Sequence, residues 1–464
     1  MKIGFSIDIN NVVSKLWKLL NKINIAHILL IFLALHLFLM SQPGDSFIFD
    51  EAHYVPASVD TLHLIAANAE HPPLTKIIIG VSIGIFGNWW FAWRLPALIF
   101  STLSLYIVYL IAQKYLSKKQ ALASTLILGL DTLFFVNMGI ALLDPPEMFF
   151  SLVGILWFLD KKYVKSSFIF AIAFLCLERA MFFVIGLGIL FAITQLVAMK
   201  KPSLHLHKSN IHWKSLLKLK TIFLSFIVFT SVVLGGLYVY DTIYKPSSSA
   251  VLQTQVAATV FVDNASNPVT TSYSTTNVTS QMYITNPIQH ILFGLRYYTA
   301  LTPSATGNLS ESNFRPPWSW TLPIINAFNP PHYLTTSISI NGVTTGIIFD
   351  WVSQISWPIA ITFWIVFALC CYNLLKKRSI GFSSLYIAWS SGTYLPWLIF
   401  GAFVQKMTFN YYFLLTTPIL AMGVPFLWQS LPIPTKAKRI GLAVHIIIIG
   451  IYFIYYLPIN LFRA

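Results

Sequence analysis

Residues 26–54 read AHILLIFLALHLFLMSQPGDSFIFDEAHY: an apolar run of membrane-spanning length, a Pro-Gly turn, then two adjacent carboxylates, Asp50 and Glu51. Acids are few in this chain, 15 against 30 Lys and Arg. A carboxylate pair held at a membrane face is costly to dehydrate, so it asks for a chemical reason. The surrounding sequence decides whether a site is built around Asp50.

Of the 464 residues, 56% are hydrophobic and 10% charged, and the mean hydropathy is +0.70. A soluble protein of this length cannot bury so much apolar surface, so an all-α polytopic membrane protein embedded in the bilayer is expected. The run 26–42 follows Lys15, Lys18 and Lys22 without a small-residue cleavage site, and reads as a retained first span. The net charge of +15 sits in short Lys/Arg clusters between apolar runs, the positive-inside pattern, and so implies no nucleic-acid partner. Cys176, Cys370 and Cys371 all fall in apolar segments, with neither disulfide nor zinc spacing.

Span-like segments fall near 26–42, 94–113, 120–140, 145–160, 166–178, 180–199, 221–241, 354–375, 380–402, 409–429 and 440–459, about eleven in all. The stretch 166–199 is too long for one span and divides at Glu178-Arg179. The pieces assigned to the cytoplasm (1–25, 114–119, 161–165, 200–220, 376–379 and 430–439) hold 22 of the 30 Lys and Arg. That bias fixes the orientation. It also requires 74–90, which carries Lys76 and three glycines, to lie on the outer side as an interfacial or re-entrant helix. Residues 242–353 form one small external loop domain, rich in Ser, Thr, Asn and Pro and expected to contain strands. Its triplets at Asn264, Asn277 and Asn308 are glycosylation sequons, in accord with an outer location. The organisation expected is an N-terminal catalytic transmembrane module over 1–241 with an outer loop at 43–93, the external domain 242–353, and C-terminal transmembrane helices over 354–464.

In this topology the outer-face ionisable groups include Asp50, Glu51, His71, Lys76, Arg94, Asp144, Glu147, Glu178, Arg179, Arg315 and Lys406. Converging carboxylates and cations suit a lipid-phosphate donor: cations hold the phosphate, and a carboxylate takes a proton from an acceptor hydroxyl. Asp50 is the expected general base; the competing reading is an N-cap for the amphipathic stretch 51–69. Glu51 binds the acceptor or a cation, or is a first-turn helix acid. Lys76 and Arg94 hold phosphate or snorkel to headgroups. Asp144 is a site residue or a cap. Arg179 is the best phosphate cation, since a guanidinium meets phosphate as a bidentate fork, with a structural Glu178–Arg179 pair as the rival. Asp131, in mid-span, reads as an inter-helix hydrogen-bonding group.

Several motifs in order resemble the protein O-mannosyltransferase family: F-D-E-A-H-Y at 49–54, H-P-P-L-T-K at 71–76, Asp131-Thr132 followed by Leu142-Leu143-Asp144, P-W-S-W at 317–320, and Phe409-Asn410-Tyr411-Tyr412 with Pro418. The L-D-P form at 143–145 and GNWWFAWRLPALIF at 87–100 also resemble aminoarabinose lipid A transferases. The resemblance implies the GT-C fold and inverting transfer from a dolichyl- or other polyprenyl-phosphate sugar, expected to be mannose, to protein Ser/Thr hydroxyls. It brings His71, Trp318, Trp320 and Tyr411 into the substrate site, to which the outer-face Lys406 adds a phosphate-binding candidate, with no metal ligands and no required cofactor, although a divalent cation is compatible. Met138-Gly139 and Glu178-Arg179 depart from the family's usual Ser-Arg and Lys-Trp. The same fold serving a lipid or glycan acceptor is the alternative, and a secondary transporter is the distant one, disfavoured because no inverted repeat is visible. The short external loop and the sequons lead us to expect an archaeal plasma membrane, with the site facing outside.

Overall fold

The computed structural model describes residues 24–199, 209–246, 286–300, 317–321, 333–340, 343–377, 381–404 and 408–456, with short strand residues at 255–256 and 273–274. The chain is mostly helical. Helix α1 (Ile25–Ser41) starts at Asn24, whose Oδ1 accepts the His27 amide at 3.2 Å. The chain then runs through α2 (Glu51–Leu62), α3 (Leu74–Phe86), α4 (Trp90–Gln113), α5 (Lys118–Gly129), α6 (Thr132–Gly139), α7 (Asp144–Leu159), α8 (Tyr163–Cys176), α9 (Ala180–Met199) and α10 (Ser209–Ile243). After the hydrophilic insertion 242–353, which holds α11 (Pro287–Ala300), come α12 (Trp357–Tyr372), α13 (Phe382–Ile399), α14 (Thr417–Ser430) and α15 (Thr435–Tyr455).

Among the described residues, five helices are long and apolar enough to cross a membrane, or six if the bent pair α5–α6 forms one span. Shorter apolar helices cover 25–41, 74–86, 163–176 and 180–194. The expected split of 166–199 is present: α8 ends at Cys176, and Leu177 is extended before α9 begins. The expected single span 120–140 is instead bent by 66° between Gly129 and Thr132. Asp131 explains the break. Its Oδ2 accepts the Phe134 amide at 3.1 Å and its Oδ1 accepts the Ser356 amide at 2.8 Å, while Thr132 Oγ1 donates to the Gln354 carbonyl at 2.6 Å. A side chain that caps a new helix start ends the old helix, and the freed backbone groups find partners in the segment leading into α12.

Helix α3 differs from the long spans in where its ends lie. At its start, Thr75 Oγ1 is 3.4 Å from the carbonyls of Leu143 and Cys176. At its other end the chain turns into α4, and the Trp90 amide donates to Asp45 Oδ1 at 2.7 Å. Both ends therefore meet the end of the bundle that carries Asp50. The insertion contributes a parallel pairing of Ile65–Ala66 with Lys245–Pro246, a short antiparallel pair, and a hairpin of Tyr333–Ile340 with Val343–Val352.

The core runs through α1, α4–α9 and α12–α15. Helices α9 and α13 cross at glycine: a Cβ on Gly392 would lie 2.3 Å from the Gly186 Cα. Overpacking a close crossing costs roughly 1–3 kcal/mol or more, so Gly392→Ala lowers the thermal midpoint of the detergent-solubilised protein. An unchanged midpoint would show that the backbones can separate freely.

Candidate active site

The first-loop acids take different jobs. Glu51 is completely buried. Its Oε1 accepts from Arg94 Nε (2.8 Å) and the Ala141 amide (2.8 Å); its Oε2 accepts from Arg94 Nη2 (2.6 Å) and the Ile48 amide (2.8 Å). Arg94, equally buried, also donates to the carbonyls of Met40, Gly44 and Ser46 at 2.8–3.0 Å. All five guanidinium N–H groups are thus engaged. Glu51 thus binds a cation, one of its expected alternatives, and the contacts correct the expectation that Arg94 holds the donor phosphate or snorkels: both residues are committed to the fold, tying α4 to the 40–51 loop and to the turn before α7.

Asp50 is the residue that this clamp presents. It follows Phe49, whose φ of +53° is in the left-handed region uncommon for a bulky residue. It stands at the start of α2 but makes no side-chain cap hydrogen bond, so the capping alternative is not realised. Burial pushes its carboxyl up to about 7; among nearby charges, His71 and Arg179 oppose that rise and Asp144 adds to it.

Lys76 is a second correction. It is fully buried in the first turn of α3 and donates to the carbonyls of Asn68 and His71, the latter at 2.9 Å. Burial draws its ammonium down to about 8. Its work is to brace the 67–71 turn, where Asn68 has a φ of +53° and bonds Glu70 at 2.6 Å. An ammonium surrounded by backbone carbonyls is not available to a phosphate.

The remaining groups do converge. Arg179, in the turn between α8 and α9, is buried and pairs with Asp144 at the start of α7. Its guanidinium carbon lies 5.6 Å and 5.4 Å from the ring centroids of Tyr411 and Tyr412, within cation–π range. Glu178 pairs with His71 at 3.2 Å. His71 stands edge-on between Tyr54 and Tyr297, each at 6.1 Å between centroids. Phe49 meets Tyr411 at 5.3 Å, which joins the Asp50 turn to the Arg179 side. Glu147, one turn after Asp144 on α7, is buried with Oε2 lacking a hydrogen-bond partner.

The tryptophans separate. Trp318 is exposed, whereas Trp320 is buried against Tyr394 and Phe413 and is a core residue rather than the wall of a groove. Arg315 and Lys406 lie outside the described residues. Among the described residues, no three His, Cys, Asp or Glu side chains converge to hold a metal ion. Sequence reasoning missed Tyr54 and Tyr297, and passed over Glu147 after counting it among the outer-face acids. Tyr297 sits in the weakly patterned insertion, where no spacing marks it.

The structure of the S. cerevisiae protein O-mannosyltransferase Pmt1-Pmt2 complex bound to the sugar donor aligns with 95% of this chain and 89% of its own, at a TM-score of 0.65 and 12% identity, so the fold is shared. More distant likenesses reach an oligosaccharyltransferase from Archaeoglobus fulgidus tethered with an acceptor peptide (TM-score 0.44, 12% identity, 93% of this chain and 54% of that one) and ArnT from Cupriavidus metallidurans bound to undecaprenyl phosphate (0.36, 13%, 89% and 84%). The protein-family model described as dolichyl-phosphate-mannose-protein mannosyltransferase matches residues 70–234, and the resemblance read from the motifs is borne out over that stretch. No curated protein matches the sequence.

Proposed function

We propose that the protein is an inverting membrane glycosyltransferase that moves a sugar, mannose in the first instance, from a dolichyl or other polyprenyl phosphate to Ser/Thr hydroxyls of proteins. In this reading the eleven apolar segments are crossings, α3 lies along the outer face, and the site opens outside. One observation carries it: Asp50, freed from capping, stands in electrostatic reach of the Asp144–Arg179 pair.

The chemistry follows from those groups. The acceptor oxygen attacks the anomeric carbon and its proton passes to the Asp50 carboxylate. The bond from the anomeric carbon to the phosphate oxygen breaks, and polyprenyl phosphate leaves with the electron pair. Attack opposite the leaving group inverts the anomeric centre. Arg179 supports the negative charge on the departing phosphate, while Asp144 and the rings of Tyr411 and Tyr412 fix its guanidinium.

The test is purified protein with dolichyl-phosphate mannose and a Ser/Thr peptide, read as glycopeptide by mass spectrometry. Arg179→Lys keeps a positive partner for Asp144 but loses the planar fork. Donor KM is expected to rise about tenfold or more, with the peptide KM little changed. An unchanged donor KM would remove Arg179 from the phosphate site. Transfer to a glycolipid but not to peptide would move the acceptor assignment to the lipid or glycan alternative, and no transfer from any polyprenyl-phosphate sugar would end the reading.

A further inference from the structure

Two arrangements lie side by side in the site and have different chemistry. Arg179 with Tyr411 and Tyr412 suits an anion. Its chain neighbour Glu178 turns to His71, between the rings of Tyr54 and Tyr297. A carboxylate paired with an imidazole that stands between two phenol rings does not suit a phosphate. It suits a polyol, because an ionised carboxylate accepts hydrogen bonds from hydroxyls and the C–H faces of a sugar ring pack on aromatic surface. In a polyprenyl-phosphate sugar the ring is attached directly to the phosphate oxygen. Adjacent residues therefore suit adjacent parts of one such ligand.

Tyr297 reaches this place only because the insertion is docked there. Helix α11 is held by a buried His290–Asp241 pair at 2.8 Å. It presses so closely on the 68–71 turn that a Cβ on Gly294 would lie 2.9 Å from the Glu70 carbonyl oxygen. The insertion also begins by pairing Lys245–Pro246 with Ile65–Ala66, the approach to the same turn. The Tyr297 phenol is in electrostatic reach of Glu70, Tyr412, Asp50 and Glu178. External segment and membrane module thus meet over His71.

We infer that Glu178 and Tyr297, with His71 and Tyr54, bind the sugar ring of the donor and set which sugar is accepted, separately from the phosphate held by Arg179. The inference rests on the donor reading above. Tyr297 makes the external insertion part of the sugar site, and Glu178 with its His71 partner supplies the hydrogen-bonding side of that site.

The experiment measures binding of two probes to the full-length detergent-solubilised protein: dolichyl-phosphate mannose and bare dolichyl phosphate. Glu178→Gln is expected to weaken the sugar-bearing probe about tenfold or more, and to leave the bare phosphate within about twofold. Tyr297→Phe, which removes one hydroxyl and keeps the packing, is expected to weaken the sugar-bearing probe alone by a few-fold. Both variants are expected to change the ratio of dolichyl-phosphate mannose to dolichyl-phosphate glucose turnover. Equal weakening of both probes in either variant, or no change in either variant, overturns the inference while leaving the transferase reading standing. Wild-type protein that binds neither probe overturns the transferase reading itself.

Discussion

Asp50→Asn is expected to abolish measurable transfer and to leave the protein folded. A general base contributes typically about 10²–10⁴-fold to rate, and an amide cannot take the proton. The substitution is close to isosteric, and Asp50 makes no side-chain cap hydrogen bond whose loss would weaken α2. The carboxyl, pushed up to about 7 by burial, adds a pH signature. Only the ionised form is a base, so wild-type kcat/KM rises with pH through about 7 and levels above it. Stability moves the opposite way. The native carboxyl binds its proton more tightly than an unfolded aspartate does, so ionising it costs folding free energy as pH rises from about 4 through about 7. The Asn variant is spared that cost, and at pH 8 its thermal midpoint equals or exceeds that of wild type. Kinetics across pH 5–9 and thermal unfolding of both proteins make the check. Activity within tenfold of wild type in purified Asp50→Asn would end the assignment.

The fold was legible where composition and charge speak directly. Apolar lengths, Lys/Arg clusters and the Glu178-Arg179 interruption each leave a local trace, and the break between α8 and α9 falls where that pair stands. The bend at Asp131 was less visible, because an acid in mid-span reads equally as a bonded helix residue and as the cap of a new helix. Residue types were legible at the site but their division of labour was not. Glu51, Arg94 and Lys76 carry the same charges as site residues and lie in the same loops. Only contacts distant in sequence, such as Ala141 to Glu51 and Met40 to Arg94, show that their hydrogen-bonding capacity is spent on the fold. Tyr297 had no trace at all, since its place comes from the docking of α11.

Breaking the Glu51–Arg94 clamp costs folding before it costs chemistry. Removing one partner of a buried ion pair leaves an uncompensated charge, typically about 3–5 kcal/mol. Arg94→Met keeps most of the apolar stem but strands the Glu51 carboxylate and three backbone carbonyls. Arg94→Met is therefore expected to lower the yield of monodisperse protein and its thermal midpoint sharply. A phosphate-binding Arg94 would instead raise donor KM in a protein of normal stability, and that result would reverse the assignment. Glu51→Gln is the discriminating partner. Its amide can still accept from backbone, but its NH₂ group points a donor where Arg94 Nη2 or the Ile48 amide already donates. A donor facing a donor costs a buried unsatisfied pair, so this variant falls between wild type and Arg94→Met in stability. Replacing both residues with apolar ones recovers only part of the loss. The amides of Ile48 and Ala141 lose their acceptor, and a buried N–H without a partner is itself costly. The incomplete recovery would separate this clamp, which holds backbone as well as charge, from a simple ion pair. It also explains why Asp50 stands beside a second acid: the buried neighbour fixes the turn that carries Asp50.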